Sequence, residues 1–354
     1  ETFRLLGTKR VCLNMASYNY LGFAQSQGPC ADAVAETISK VGVSVASARP
    51  DRGTLPIHEE LEQLVARFLG VEAAVVLGMG FATNSAMITS LVEKGCLILS
   101  DELNHSSLIS GCRLSGAAIA TFKHNDMEDL ECKLREQIVA GQPRSHRPWK
   151  KILVVVEGLY SMEGSILRLP DLLVLKQKYP FYLFVDEAHS IGALGPNGGG
   201  VCDLWGVDPK QVDVLMGTFT KSFGAAGGYL AGSKALIDHM KRDGPGFLYS
   251  EPIMPPVCQQ VITSMKIIMG ELPGHIDEGH RRLTAIRENS IYFSRQLKKR
   301  GFIVYGDEGS PVIPVLIFNP GKIAAFSREC LSRGLAVVVV GYTKADEGEF
   351  IGDS

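Results

Sequence analysis

A lysine acts as a nucleophile near neutral pH only where its amine is partly stripped of water, so that the uncharged form is accessible. Lys221 stands in such a setting. It lies in the run GTFTKSFGAAGG, directly after an apolar stretch, between Phe219 and Phe223 and among glycines that permit close packing. An acid, Asp186, closes the apolar run FYLFV 35 residues upstream and opens D-E-A-H. Taken alone, such an acid is either a helix N-cap or a charge with a fixed task. Paired with a desolvated amine, it suits one cofactor well. Pyridoxal phosphate needs a lysine for its aldehyde, a carboxylate for its pyridinium nitrogen and donors for its phosphate.

Two other readings of these residues fail on their own chemistry. D-E-A-H and Lys221–Ser222 are suggestive of a nucleotide hydrolase, but Thr220 occupies the position where a phosphate-cradling loop requires glycine. The lysine also follows the acid in the chain, the reverse of the usual order. No G-x-S-x-G elbow is present, so a hydrolase of that type would have no nucleophile. No H-E-x-x-H or comparable spacing supports a metal site.

The elements that must position these residues follow from hydrophobic patterning. Apolar runs at 73–77, 97–99, 117–122, 152–156, 181–185 and 212–216 alternate with helical stretches such as 127–139 and 169–179. Short apolar strands alternating with helices imply an α/β fold, with a largely parallel sheet covered on both faces. Ligands of such sheets bind outside the carboxyl ends of the strands. Five strand ends carry polar or glycine-rich chemistry: 78–84 (GMGFATN), Asp101 with His105, Glu157 with Ser161, Asp186 with His189, and 218–221. GMGFATN is a poor dinucleotide fingerprint but a reasonable strand-to-helix turn offering backbone N–H groups to a phosphate. His105 and His189 are singled out by their place at strand ends. His124, His146, His239, His275 and His280 are expected to be structural.

Beyond residue 255 the texture changes. Helices are expected over 257–269 and 276–300, strands over 301–305, 312–318 and 335–340, and a helix over 323–333. The division expected is an N-terminal segment 1–57, a large cofactor-binding domain 58–269 and a smaller α+β domain 270–354.

Composition narrows the function classes. Lys+Arg of 36 against Asp+Glu of 38 leaves a net charge of −2, which gives no electrostatic case for binding nucleic acid. Hydrophobic residues at 45% and charged residues at 21% suit a globular chain with a large core. No run approaches the roughly 18 apolar residues of a spanning helix. The opening ETFRLLGTKR lacks the apolar core of a signal peptide. It begins with Glu rather than Met, so a cut start is expected, and whatever lies upstream, a membrane anchor included, is not visible in this sequence. The eight cysteines show no C-x-x-C and no zinc spacing, and read as scattered thiols.

Five stretches in order, NMASYNYLGF, LILSDELNHSSLISG, VVEGLYSMEGS, VDEAHSIGALGPNGGGV and GTFTKSFGAAGGYLAG, resemble the α-oxoamine synthases. These are fold-type I pyridoxal phosphate enzymes that join an amino acid to an acyl-CoA with loss of CO2. YSMEGS, T-K-S-F-G and GQPRSHRPWKKI are most similar to the catalytic second subunits of the eukaryotic serine palmitoyltransferases. The resemblance implies L-serine and palmitoyl-CoA as substrates and 3-ketosphinganine, the first intermediate of sphingolipid biosynthesis, as product. It makes Lys221 the Schiff-base lysine and Asp186 the partner of the pyridinium nitrogen. His189 would bond the ring's phenolic oxygen with Ser161 on the same edge, and His105 would stack on the ring face. Thr218 and Thr220, with the backbone amides of Gly80 and Phe81, would hold the phosphate.

The resemblance also implies a heterodimer with a homologous subunit lacking the lysine, its site at the interface. It implies a place on the cytosolic face of the endoplasmic reticulum membrane, held there by segments outside this chain. Two departures stand out. The family carries a carboxylate-gripping arginine near its end, whereas here no arginine follows Arg333 and the chain ends GYTKADEGEFIGDS. In YSEPIMPP, Glu251 replaces the small hydroxyl residue that simpler members place near the partner's phosphate. The alternatives are another α-oxoamine synthase, using glycine or alanine, and a non-catalytic subunit, against which Lys221 argues.

Overall fold

Runs such as AAVVL and ILVVVE are apolar at every position, and a strand can bury both of its faces only if the sheet is covered on both sides. That is the arrangement found. The computed structural model describes residues 9–340. The chain forms two units, one of residues 19–314 and one that, within the described range, comprises 9–18 and 315–340.

The first elements are β1 (Leu13–Asn14), α1 (Pro29–Val41), α2 (Pro56–Leu69), β2 (Ala73–Leu77) and α3 (Gly80–Met87). Then come β3 (Leu97–Asp101), α4 (Ser106–Leu114), β4 (Ala118–Phe122), α5 (Met127–Ala140), β5 (Ile152–Glu157), α6 (Leu169–Lys178) and β6 (Tyr182–Asp186). These are followed by α7 (Val201–Trp205), β7 (Val214–Thr218), β8 (Gly228–Gly232), α8 (Lys234–Asp243) and α9 (Pro245–Leu248). The last are α10 (Pro255–Ile268), α11 (Glu278–Lys299), α12 (Pro320–Ser332) and β9 (Leu335–Ala336).

In the larger unit the sheet order is β2-β8-β7-β6-β5-β3-β4. Only β8 runs against its neighbours. Side chains alternate between two apolar layers. Val154, Val156, Leu183, Val185 and Leu215 enter the layer covered by α2, α5, α6 and α10. Leu153, Val155, Phe184, Val214 and Met216 enter the layer covered by α3, α4 and α8. This parity decides which strand-end side chains can meet. In the smaller unit β1 pairs in parallel with β9, Leu13 opposite Leu335, beside α12.

Three expectations are corrected. Residues 301–305 and 312–318 form no strands, and of 335–340 only Leu335–Ala336 does. The cause is local: Pro311 and Pro314 lack N–H donors, while Gly306 and Gly309 adopt φ of 92° and 90° and turn the chain. Second, the strands expected from apolar runs omit residues 228–232, yet Gly228–Gly232 is a fully buried strand between β2 and β7. Third, residues 270–314 pack with the larger unit, where Leu283 of α11 joins its core. The stretch from Gly341, where a carboxylate-gripping arginine would be sought, lies outside the described residues.

Glu187, the second acid of D-E-A-H, belongs to the scaffold. Its carboxylate accepts hydrogen bonds from Ser190 Oγ and from the Val201 N–H that opens α7. It is fully buried, and burial pushes its carboxyl up to about 7 from an ordinary 4.5. The folded chain therefore binds this proton more tightly than the unfolded chain. Stability from this group is greatest below pH 4.5 and is lost as pH rises to about 7, by up to roughly 3 kcal/mol. Glu187→Gln should flatten that part of the pH–stability curve in denaturant titrations. An unchanged slope between pH 4.5 and 7 would contradict this assignment.

Candidate active site

β5, β6 and β7 end side by side on Glu157, Asp186 and Thr218. Glu157 continues the row Leu153, Val155; Asp186 follows Phe184; Thr218 follows Val214 and Met216. All three therefore emerge on the face that carries α3 and α4. Asp101 has the opposite parity, following Leu97 and Leu99 into the other layer. There it pairs with His124 at 3.0 Å, away from His105. There His124 is held by further contacts: its Nε2 lies 2.7 Å from Ser165 Oγ and its ring stands edge-on to Tyr160.

The start of α3 lies against the end of β7. A Cβ at Gly80 would stand only 2.8 Å from Thr218 Cγ2, so glycine is required for this approach. The first N–H groups of α3, at Gly80 and Phe81, have no helical acceptor and carry the positive end of the helix dipole. Thr220 Oγ1 lies 3.2 Å from Thr218 Oγ1, and Lys221 Nζ lies 3.4 Å from the same hydroxyl. Two hydroxyls, two unpaired amides and an amine converge here.

His105 is the N-cap of α4. Its Nδ1 accepts from the Ser107 N–H at 3.2 Å and lies 2.7 Å from Ser107 Oγ, so Nε2 carries the proton. Its own N–H donates to Glu157. Phe81 stands edge-on to the imidazole, ring centres 6.2 Å apart. His105 is exposed at its rim, but partial desolvation of its ring, with Lys221 nearby, lowers it and favours the neutral form.

Asp186 is 3% exposed and accepts from Asn84 Nδ2 at 2.7 Å and the Ala188 N–H at 2.8 Å. Burial raises this carboxyl, while Asn84, Ala188 and Lys221 pull it back toward the ionised form. Burial lowers Lys221, against the pull of Asp186 and Glu157. Glu157 is raised well above the usual carboxylate range by burial and by the Asp186 charge. His189 is buried, lies 2.8 Å through Nδ1 from the Tyr20 hydroxyl, and is held neutral by burial and by Lys221. Ser161 is half-buried in the turn after Tyr160.

Three contributors were not assigned roles from the sequence. Asn84 sits one turn beyond Gly80 on α3, a position visible in GMGFATN once that turn is read as a helix start. Glu157 shares the parity of Asp186. Tyr20 lies 169 residues from His189, and no local pattern announces it. Its segment is anchored by Arg282 of α11, which donates to the Leu21 carbonyl and lies over the Phe23 ring at 4.6 Å.

The donor set fits pyridoxal phosphate. A desolvated amine, a buried carboxylate and a helix start with two adjacent hydroxyls lie together, in a cradle that a side chain at residue 80 would fill.

Comparisons with known proteins agree. The model of the aminotransferase class I and II family matches residues 10–350. Long chain base biosynthesis protein 2a of Oryza sativa subsp. japonica is 54% identical over 97% of this chain and 70% of its own length. Serine palmitoyltransferase 2 of Caenorhabditis elegans is 53% identical over 96% of this chain, which spans 61% of that relative. A solved serine palmitoyltransferase of S. paucimobilis, holding a PLP–myriocin aldimine, superposes with a TM-score of 0.83. It is 28% identical, over 93% of this chain and 80% of that one.

Gly80→Ala tests the cradle. Its methyl group must displace either the stiff, β-branched Thr218 or the start of α3, at a cost of about 1–3 kcal/mol. Pyridoxal phosphate affinity, read by fluorescence titration, should fall about tenfold or more while circular dichroism stays unchanged. Wild-type affinity in this variant would remove the phosphate from this corner.

Proposed function

Because the chain belongs to the aminotransferase class I and II family, we propose that it is the catalytic chain of a serine palmitoyltransferase, dependent on pyridoxal phosphate. It would condense L-serine with palmitoyl-CoA to give 3-ketosphinganine, CoA and CO2. The observation that carries this reading is the convergence of Lys221, Asp186 and the start of α3 at one strand edge. The serine and palmitoyl assignment is supported by the 53% identity to a serine palmitoyltransferase.

Bound here, pyridoxal phosphate supplies an aldehyde that captures amines and a cationic ring that accepts carbanion electrons. The chain's own residues supply the rest. Lys221 Nζ, its charged form disfavoured by burial, would hold the cofactor through its aldehyde and, as a free amine, would serve as the base for the Cα proton of serine. Asp186, kept anionic by Asn84 and the Ala188 N–H, provides the fixed negative charge that a protonated ring nitrogen requires. Neutral His189, positioned by Tyr20, faces the same cluster and suits the phenolic edge, which Ser161 would support. His105, fixed as the cap of α4 and braced by Phe81, suits the ring face. Thr218, Thr220 and the amides of Gly80 and Phe81 suit the phosphate.

The proposal extends to assembly: a heterodimer with a lysine-less homologue, on the cytosolic face of the endoplasmic reticulum membrane. Among the described residues no helix is long and apolar enough to cross a membrane, so attachment would rest on segments outside them. Tyr249 is 82% exposed, and Met79 and Phe81 are also exposed, which supports burial of this edge by a partner. The backbone of Glu251 lies beside Gly78, near the start of α3, so the segment proposed to reach a neighbour's cofactor borders the chain's own cradle.

Lys221→Ala should cut CoA release from serine and palmitoyl-CoA to background with the fold retained. More than a few per cent of wild-type turnover would remove the lysine from the reaction. Asp186→Asn should retain cofactor but slow turnover by about 10²-fold or more, and wild-type deprotonation of serine in single turnovers would refute its role. Preference for glycine or alanine over serine in the wild-type assay would move the chain to another branch of α-oxoamine synthases.

A further inference from the structure

Glu157 and Asp186 are directly opposed residues on neighbouring parallel strands, so their side chains leave the sheet on the same face. Both are almost wholly buried, at 5% and 3% exposure. Of the charged and titratable groups around them, Glu187 adjoins Asp186 in the chain and Tyr229 of β8 also feels its charge, and others come from three further segments. Lys221 follows β7, His105 caps α4, and Asp101 ends β3 on the far face. Tyr160 accepts the backbone N–H of Glu157 through its hydroxyl. His105 is neutral, so among the described residues Lys221 is the cation facing two adjacent acids. A site that excludes water does not hold two adjacent carboxylates against a single ammonium, so one acid keeps a proton.

The donors decide which one. Asp186 receives two, Asn84 Nδ2 and the Ala188 N–H, each favouring the anion. Among the described residues Glu157 receives one, the N–H of His105. The same cluster also contains an acceptor without a donor. Asn84 Oδ1 is buried and has no hydrogen-bond partner among the described residues, because its amide nitrogen is committed to Asp186 and Ser107. A carboxylic acid O–H is the kind of donor this cluster lacks.

We propose that the Glu157–Asp186 pair holds one proton, carried by Glu157, which makes Glu157 a positioning residue. It keeps a second anion from standing directly opposite Asp186 across the strands, and it anchors the cap of α4 by accepting the His105 N–H. The inference rests on the reading of Asp186 as the anion of the cofactor site. It also explains how a second acid can stand beside Asp186 without competing for Lys221.

The test is isotope-edited infrared spectroscopy of the holoprotein labelled at glutamate carboxyl carbons, near pH 8, above the titration of Glu187 at about 7. A protonated-carboxyl C=O stretch should be present in wild type, persist in Glu187→Gln and vanish in Glu157→Gln. Cofactor affinity supplies the second readout. Glu157→Ala should weaken pyridoxal phosphate binding about tenfold. Glu157→Gln, neutral and still able to accept from His105, should restore most of that loss, whereas Glu157→Asp should not. Absence of a protonated glutamate in the Glu187→Gln protein would overturn the proposal, even if the Glu157 variants do not fold. So would rescue by Asp but not by Gln. The infrared measurement needs only folded, cofactor-loaded protein. A chain that proved inactive with serine would leave it intact, and the two claims can fail separately.

Discussion

A carboxylate buried at the end of a central strand must be paid for by donors, and the placement of those donors organises much of this molecule. Asp186 is held by Asn84, which fixes α3, and by its own loop through Ala188. Its neighbour Glu157 fixes the start of α4 through His105. Lys221 supplies the compensating positive charge from the turn between β7 and β8. At an effective dielectric of about 20, two charges about 5 Å apart interact by roughly 3 kcal/mol. Leaving either acid uncompensated would consume a large share of the stability of a domain. The helices that start at this edge thus do two jobs: they neutralise the acids and they leave unpaired N–H groups beside Thr218.

Much of this was legible in the sequence because it depends on local rules. Apolar runs, their length and glycine punctuation located β2 to β7 and the turn of Lys221. The acid at the end of FYLFV and the lysine within TKSFG could be paired because both follow strands. What escaped was set by distance or by missing donors. β8 was hidden inside a glycine-rich stretch, where glycines serve close packing: a Cβ at Gly228 would meet Thr83 Oγ1 at 2.7 Å and the Gly217 carbonyl oxygen at 2.9 Å. The apolar run 312–318 reads as a strand by composition, but prolines on and beside it deny it a ladder. Asp101 was grouped with His105 by position along the chain, and only side-chain parity separates them.

The N-terminal residues of the larger unit illustrate the same limit. Tyr20 reaches His189 because Arg282, from α11, holds Leu21 and Phe23 in place. That arrangement couples a helix far along the chain to the neutral state and orientation of a histidine in the site. No spacing rule connects residues so far apart; the fold brings them together. In physical terms the strand ends set the chemistry, and the long-range contacts set its precision.

The central claim is that Lys221 is the amine presented to an aldehyde cofactor. The most direct measurement is borohydride reduction of the protein loaded with pyridoxal phosphate, followed by peptide mapping in a mass spectrometer. The account predicts a phosphopyridoxyl group on the peptide containing Lys221, on no other lysine, with loss of the visible absorption band. Modification spread over surface lysines, or a band that survives reduction with Lys221 unmodified, would contradict it.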